Sequence, residues 1–226
     1  MYFPKRDDED TKKQKNTKYR ELQLGLLMYL LLLPEFILFI MVGTENILKS
    51  YIGVALFFMF SIILYTAVPL LVEKKNPIES PAERSFKSGL CAVAITLIVI
   101  FLKMFLQKQE TPKFISEYSN FIQTSGFIGI IGATLQHLYY LAEMVLCCYM
   151  LRVFQKAGEN FFIYKNIPYG GVALGVLWGF VVHTISKDIS VGLYMLLISV
   201  VWGTIYLVSN KNRWLTYFLM TIMFIT

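Results

Sequence analysis

The chain of 226 residues is short of charged residues, cysteine and histidine, and each shortage narrows the classes of protein it can belong to. Charged residues make up 16% of the sequence, against about 25% in soluble domains. The three cysteines all lie within apolar runs, so no disulfide framework is expected. With two histidines and no Cys-x-x-Cys pair, the sequence lacks the ligand spacing of a zinc site, and we expect neither a metal nor another cofactor.

Long apolar runs fill most of the chain after its first 21 residues. Hydrophobic residues are 56% of the sequence, and the mean hydropathy is +0.57. Because roughly 20 helical residues cross a hydrocarbon core about 30 Å thick, the runs predict an all-α, polytopic membrane bundle of about seven transmembrane segments. The polar stretch 107–125 is expected to be a loop without a motif. The predicted segments are residues 22–42, 52–72, 88–106, 126–151, 169–186, 190–209 and the short 213–226.

The distribution of Lys and Arg predicts the orientation in the membrane. Residues 1–21 hold seven Lys or Arg, the loops 73–87 and 152–168 hold four and three, and the loop 43–51 holds one. Since Lys and Arg accumulate on the cytoplasmic side, we expect a charged cytoplasmic tail over 1–21, followed by a single transmembrane domain over 22–226. The first apolar run is too long for the core of a signal peptide, and we expect it to remain as a span.

The segment 126–151 carries polar residues on one face of its predicted helix. Gln136, Tyr140 and Glu143 are spaced i, i+4 and i+7, which forms one stripe. A carboxylate at the centre of a membrane helix costs about 2.5 kcal/mol or more, so such residues usually pair, coordinate or react. Glu143 is therefore the first candidate for a functional group. His137 lies roughly 120° away from it around the helix and is expected to be a hydrogen-bonded packing residue.

The segment 169–186 provides a second candidate, His183. It follows four glycines at nearly helical spacing, a pattern that brings helices close together, and they are Gly170, Gly171, Gly175 and Gly179. We predict that His183 and Glu143 share one polar pocket. Straight helices would offset the pair in depth by roughly 9 Å, so one helix must shift or kink. For Glu35, in the first span, an ion pair with His183 and a hydrated helix end remain alternatives.

These two segments resemble the CPBP family, named for CAAX proteases and bacteriocin-processing proteins. The resemblance covers roughly residues 126–226 and looks like a divergent bacterial branch. The family's first motif is Glu-Glu-x-x-x-Arg. In this chain Ala142 and Cys147 stand at its first and last positions, and Glu143 alone matches. The stretches Gln155–Glu159 and Ile167–Gly171 also resemble that branch.

The family's second motif, Phe-x-x-x-His, is matched by His183 alone. Gly179 stands in place of the Phe, with Trp178 directly before it. The terminal motif His-x-x-x-Asn is absent, because Met220 and Phe224 occupy about the matching positions. Order and spacing, more than intact motifs, support the resemblance.

Active members of the family are glutamic-type intramembrane endopeptidases. The resemblance implies that Glu143 activates water and His183 assists, while Gln136, Tyr140 and Trp178 support the site or bind substrate. It also implies a multi-pass protein of the bacterial plasma membrane. The substrate would be a peptide or membrane-protein segment reached from the cytoplasmic side.

A second function remains open, because the chain lacks the terminal His-x-x-x-Asn motif. In the family the His and Asn of that motif would stabilise the oxyanion, and such stabilisation is often the largest catalytic contribution. The chain would then be a catalytically degenerate scaffold or regulator that binds the helix of a partner membrane protein. In both cases the lipid bilayer is a partner. No nucleic-acid partner is expected, since the net charge of +6 is explained by topology.

Overall fold

A computed structural model describes residues 19–33, 51–78, 85–107 and 111–226, and these ranges contain helices but no strand. In hydrocarbon the backbone polar groups must pair locally, which explains the helices. The helices are α1 over 19–30, α2 Tyr51–Lys75, α3 Phe86–Gln107, α4 Lys113–Phe161, α5 Tyr169–Ser186, α6 Ile189–Val208 and α7 Arg213–Ile225.

Five of these helices, α2 to α6, are long and apolar enough to cross a membrane. The prediction of an all-helical chain with several helices able to cross a membrane is confirmed for the described residues. The number of about seven transmembrane segments stays a prediction. Helix α7 has 13 residues and is about 20 Å long. Most of the tail 1–21, the second half of the predicted span 22–42 and Glu35 lie outside the described residues.

Helix α4 is a helical hairpin, because the chain reverses at Gly126, which has φ 57° and ψ −137°. The hydroxyl of Tyr118 lies 3.0 Å from that of Thr134, although sixteen residues of straight helix would span about 24 Å. The legs of this hairpin are residues 113–125 and 127–161. The prediction of a loop over 107–125 is thus wrong for its second part. That leg turns Lys113 and Glu117 toward its partner. Its Phe114, Tyr118 and Phe121 recur at helical spacing, a signal that the polar composition of the stretch obscured.

The described residues form two compact units. The hairpin unit comprises residues 31–149 and 204–226, and the glycine unit comprises residues 19–30 and 150–203.

Helix α7 connects the two ends of the hairpin unit. At its start, Nη1 of Arg213 lies 2.7 Å from Oε1 of Glu73, and the side chain of Asn212 caps the helix by accepting the backbone N–H of Leu215. At its end, the N–H of Lys113 donates to the carbonyl of Thr226 at 3.2 Å. This end of the unit is where the polar residues of the hairpin meet.

In the glycine unit, α5 and α6 pack backbone to backbone. A methyl group added at Gly171 would lie 2.5 Å from the carbonyl oxygen of Ser199 and 2.9 Å from Cα of Gly203. Gly175 and Gly179 meet the backbone of α6 in the same way, at 2.9 Å and 2.8 Å. The predicted glycine face is confirmed for these three positions, whereas Gly170 faces the carbonyl of Leu151 instead.

The middle of α5, Gly175–Val182, is a π-helix, and His183 follows it directly. The turn to α6 is fixed by Asp188, whose carboxylate accepts the backbone N–H groups of Ser190 at 2.8 Å and Val191 at 3.0 Å. The hydroxyl of Ser190 and these N–H groups hold the pKa of Asp188 below its ordinary value, because they bond to the charged form.

The connection between α4 and α5 exposes consecutive apolar residues, and Ile163 is 91% exposed. Tyr169–Ser186 has 18 residues, or about 27 Å, so a crossing α5 must begin at the edge of the hydrocarbon. We then expect the exposed Phe162, Ile163 and Tyr164 to lie in the interfacial layer, where aromatic residues are favoured.

We therefore expect a spin label at Ile163→Cys, in a variant without the three native cysteines, to enter lipid. In liposomes it should collide with oxygen more often than with a water-soluble nickel complex. The exposed Asn166→Cys is the control, expected to favour the nickel complex. Equal nickel access at both positions would place the connection in water.

Candidate functional site: a polar cluster in the hairpin

Glu143 lies in the hairpin unit with its side chain buried, at 7% exposure. The predicted stripe before it is a bonded chain of polar groups. The amide of Gln136 donates to the hydroxyl of Tyr140 one turn later. That hydroxyl donates to Oε1 of Glu117 at 3.0 Å. The stripe thus faces protein, as expected for polar groups on a membrane helix.

Five residues form what we name the hairpin cluster: Lys113, Glu117, Gln136, His137 and Tyr140. Glu117 is its centre. Its Oε1 lies 3.8 Å from Nζ of Lys113, and its Oε2 lies 3.7 Å from Nε2 of His137. The cluster therefore joins the two legs of the hairpin through one carboxylate.

Sequence reasoning missed Glu117 and Lys113, because they lie in the segment expected to be a loop. The sequence predicted that His137 is a packing residue with a hydrogen bond. That bond is present, since Nδ1 lies 2.7 Å from the carbonyl of Ala133. The other ring nitrogen, however, faces Glu117, so His137 also belongs to a charged site.

His183 lies in the glycine unit, at the end of the π-helical part of α5. Its Nδ1 lies 3.0 Å from the carbonyl oxygen of Trp178, and the two rings meet edge to face with centroids 4.7 Å apart. Because a carbonyl can only accept, Nδ1 carries the proton, and the neutral ring has its lone pair on Nε2. Trp178 is buried and fixes the ring.

The structure brings Gln136 and Tyr140 together on the helix of Glu143, and it brings Trp178 and His183 together. These two groups belong to different units. The pocket shared by Glu143 and His183 therefore remains a prediction.

Gln155 is a further residue that the site prediction missed. Its side chain is fully buried, and its amide donates to Oε1 of Glu159 at 2.9 Å and to the carbonyl of Ile167 at 3.0 Å. Its oxygen accepts the backbone N–H of Gly170 at 3.0 Å. The stretches 155–159 and 167–171, both noted for their family resemblance, thus contact each other. Through them α4 holds the start of the helix that carries His183.

Within the described ranges, no three His, Cys, Asp or Glu side chains are grouped so that they could hold a metal ion. Comparisons with protein-family models, curated proteins and solved structures found no match to the chain.

Proposed function

We propose that the protein is a CPBP-type intramembrane endopeptidase in which Glu143 is the general base. The observation that carries this proposal is the buried carboxylate of Glu143 on a helix apolar enough to cross a membrane. Burial of a carboxylate in such a helix is expensive, and such residues are usually functional. The hydrogen-bonded Gln136 and Tyr140 support it, because they place further polar groups on the helix face that carries Glu143.

In the proposed reaction, Glu143 takes a proton from water, and the oxygen of that water attacks the carbonyl carbon of the peptide bond. His183, as imidazolium, then gives a proton to the leaving amine. The Trp178 carbonyl occupies Nδ1, so Nε2 is the nitrogen that transfers this proton. Trp178 thereby orients the acid without touching the substrate.

The proposed substrate is a peptide or protein segment at the cytoplasmic face of a bacterial plasma membrane. This placement rests on the excess of Lys and Arg in residues 1–21 and in the loop 73–87, which favours a cytoplasmic N-terminus. The proposed partners are therefore the lipid bilayer and the membrane-adjacent segment of the substrate.

One observation favours the alternative, a catalytically degenerate scaffold that binds a partner membrane protein. Phe224 stands where the family has the Asn of its terminal motif, and its ring packs edge to face on Tyr140 with centroids 5.2 Å apart. A phenyl ring cannot donate a hydrogen bond to an oxyanion. A scaffold needs no hydrogen-bond donor at the position of Phe224, whereas a protease of this family does.

The test replaces Glu143 by Gln, which keeps the shape and removes the base. Membranes from cells that produce the wild type, Glu143→Gln or His183→Ala would be compared for new peptide N-termini by mass spectrometry. We expect both variants to lower the yield of these termini, Glu143→Gln by about a hundredfold or more. Glu73→Gln, whose side chain pairs with Arg213 at the far end of α7, is the control and should cleave normally.

The proteolytic function is rejected if Glu143→Gln cleaves as the wild type does at equal membrane abundance. It is also rejected if the wild type produces no new termini. In that case, a partner protein that copurifies equally with the wild type and Glu143→Gln would support the scaffold.

A further inference from the structure

Four lysines lie at the end of the hairpin unit where α2 and α6 end and where α3 and α7 begin. We name them the basic patch, and they are Lys74, Lys75, Lys87 and Lys211. The first three are exposed. Helix α7 separates the patch from the hairpin cluster, because Phe224, near the other end of this helix, contacts Lys113. The patch is therefore a second charged surface, outside the site described above.

Two hydrogen bonds hold the four helix ends together. Nη1 of Arg213 donates to Oε1 of Glu73 at 2.7 Å, which joins α7 to the last turn of α2. Nδ2 of Asn210 donates to the hydroxyl oxygen of Ser88 at 3.1 Å, which joins the turn after α6 to α3. Three lysines of the patch are chain neighbours of residues in these bonds, and they are Lys74, Lys87 and Lys211. The fold thus brings lysines from distant parts of the chain to one surface.

The acidic groups nearby leave this surface positively charged. The carboxylate of Glu73 is paired with Arg213, and the lysines remain in excess. In the sequence, the stretches 73–88 and 210–213 together hold six Lys or Arg and three Glu. Because like charges held close together repel, an anion bound among these lysines would be favoured.

An exposed aromatic ring indicates the level of the basic patch in the membrane. The ring of Trp214 is 62% exposed, and the guanidinium of Arg213 lies 5.0 Å from its centroid. Phe86, at the start of α3, is 81% exposed. Tryptophan is favoured in the headgroup layer, where one side of the ring is apolar and its N–H reaches water. Since α2 and α3 are able to cross a membrane, we expect their ends at the patch to lie in that layer.

The backbone of Lys211 indicates that its side chain is used. Within the described ranges, Asn210 and Lys211 are the residues other than glycine that have positive φ, at 53° and 58°. The N–H of Lys211 donates to the carbonyl of Tyr206 at 2.8 Å, which closes this left-handed turn. A residue with a Cβ is strained in this region, and Asn tolerates it better than Lys does. A lysine where glycine would be less strained points to a function for its charge.

We propose that the basic patch binds the headgroups of anionic phospholipids in the leaflet beside it. The phosphodiester oxygens accept hydrogen bonds from the ammonium groups, and each lysine near an anionic surface adds to the attraction. A lipid is favoured over a soluble anion, because the exposed rings of Trp214 and Phe86 offer contacts to acyl chains. On the predicted topology, this leaflet is the cytoplasmic one.

Trp214 supplies a probe beside the patch. The chain has three tryptophans, and the other two, Trp178 and Trp202, are buried. The protein would be reconstituted in phosphatidylcholine that contains either brominated phosphatidylglycerol or brominated phosphatidylcholine, with bromines near the headgroup end of the acyl chains. Quenching of Trp214, after subtraction of the fluorescence of Trp214→Phe, gives the ratio of the two association constants. We expect phosphatidylglycerol to bind about tenfold more tightly or better.

Lys87→Gln and Lys211→Gly should each lower this preference about fivefold. Because Lys211→Gly also removes the strained backbone, its free energy of unfolding should be at least that of the wild type. A loss of lipid preference in this variant is then separate from a loss of folding. Lys103→Gln is the matched control and should keep the preference, since Lys103 lies on α3 about 24 Å along the helix from Lys87.

Equal quenching of the wild type by the two lipids would overturn the proposal. The lysines would then serve topology alone or bind an acidic segment of another protein. A loss of preference in Lys103→Gln as large as that in Lys87→Gln would overturn it as well, because the attraction would then belong to the charge of the whole protein. Neither measurement involves Glu143 or cleavage, so both outcomes are independent of proteolysis.

Discussion

Replacing Gly171 by alanine is expected to destabilise the protein by about 3 kcal/mol or more. The new methyl group would stand 2.5 Å from the carbonyl oxygen of Ser199 and 2.9 Å from Cα of Gly203. Both are backbone atoms within helix α6, so neither can move aside without displacing the helix. The free energy of unfolding in mixed detergent micelles, followed by circular dichroism, measures the loss.

Gly89→Ala is the matched control for this substitution. Its added methyl group would meet one side-chain atom, Cδ2 of Leu215, at 3.8 Å, which is an ordinary contact. Because alanine favours the helix over glycine by about 1 kcal/mol, this variant should be as stable as the wild type or more stable. If Gly171→Ala and Gly89→Ala were equally stable, α5 would not pack on α6 as closely as described.

Replacing Gln155 by leucine is expected to release the start of α5 and to cost about 3 kcal/mol. The side chain bonds to three groups at once, and its removal takes a partner from the N–H of buried Gly170 and from the carbonyl of Ile167. Unsatisfied buried groups cost about 1–3 kcal/mol each. Hydrogen exchange read by mass spectrometry should become faster in the peptide that contains residues 162–171.

The control for this variant is Gln123→Leu. Gln123 is exposed, and its amide donates to the hydroxyl of Ser119 at 3.2 Å. This substitution should change the free energy of unfolding by about 0.5 kcal/mol or less. If Gln155→Leu exchanged no faster in residues 162–171 than Gln123→Leu, Gln155 would not be the residue that holds the start of α5.

The apolar spans of the fold were predictable because hydrocarbon leaves one solution for the backbone. The runs 52–72 and 88–106 predicted α2 and α3 to within a few residues, and the run 169–186 predicted α5. The first leg of the hairpin was not predictable in this way. Its inner face carries Lys113 and Glu117, and Glu117 contacts the second leg through Tyr140, so the mean hydropathy of the leg is that of a loop.

The candidate site was predictable only where it follows one helix. The spacing of Gln136 and Tyr140 placed them on one stripe, and their hydrogen bond confirms the contact. Glu117 joins that stripe from 23 residues away, and no local pattern predicts a contact made by a reversal of the chain. The glycine spacing predicted the close contact of Gly171 and Gly175 with another helix, but it did not reveal the bonding of Gln155.

The π-helical turns of α5 have a consequence for the evolution of this segment. A π-helix bonds each residue to the fifth one before it, so it holds about one residue more per turn than an α-helix does. Loss of a single residue within Gly175–Val182 would let the segment return to ordinary α-helical winding, with one residue fewer over about the same angle of turn. Related chains that are one residue shorter here would therefore keep the histidine on about the same side of the helix relative to the glycines that precede the π-helical turns.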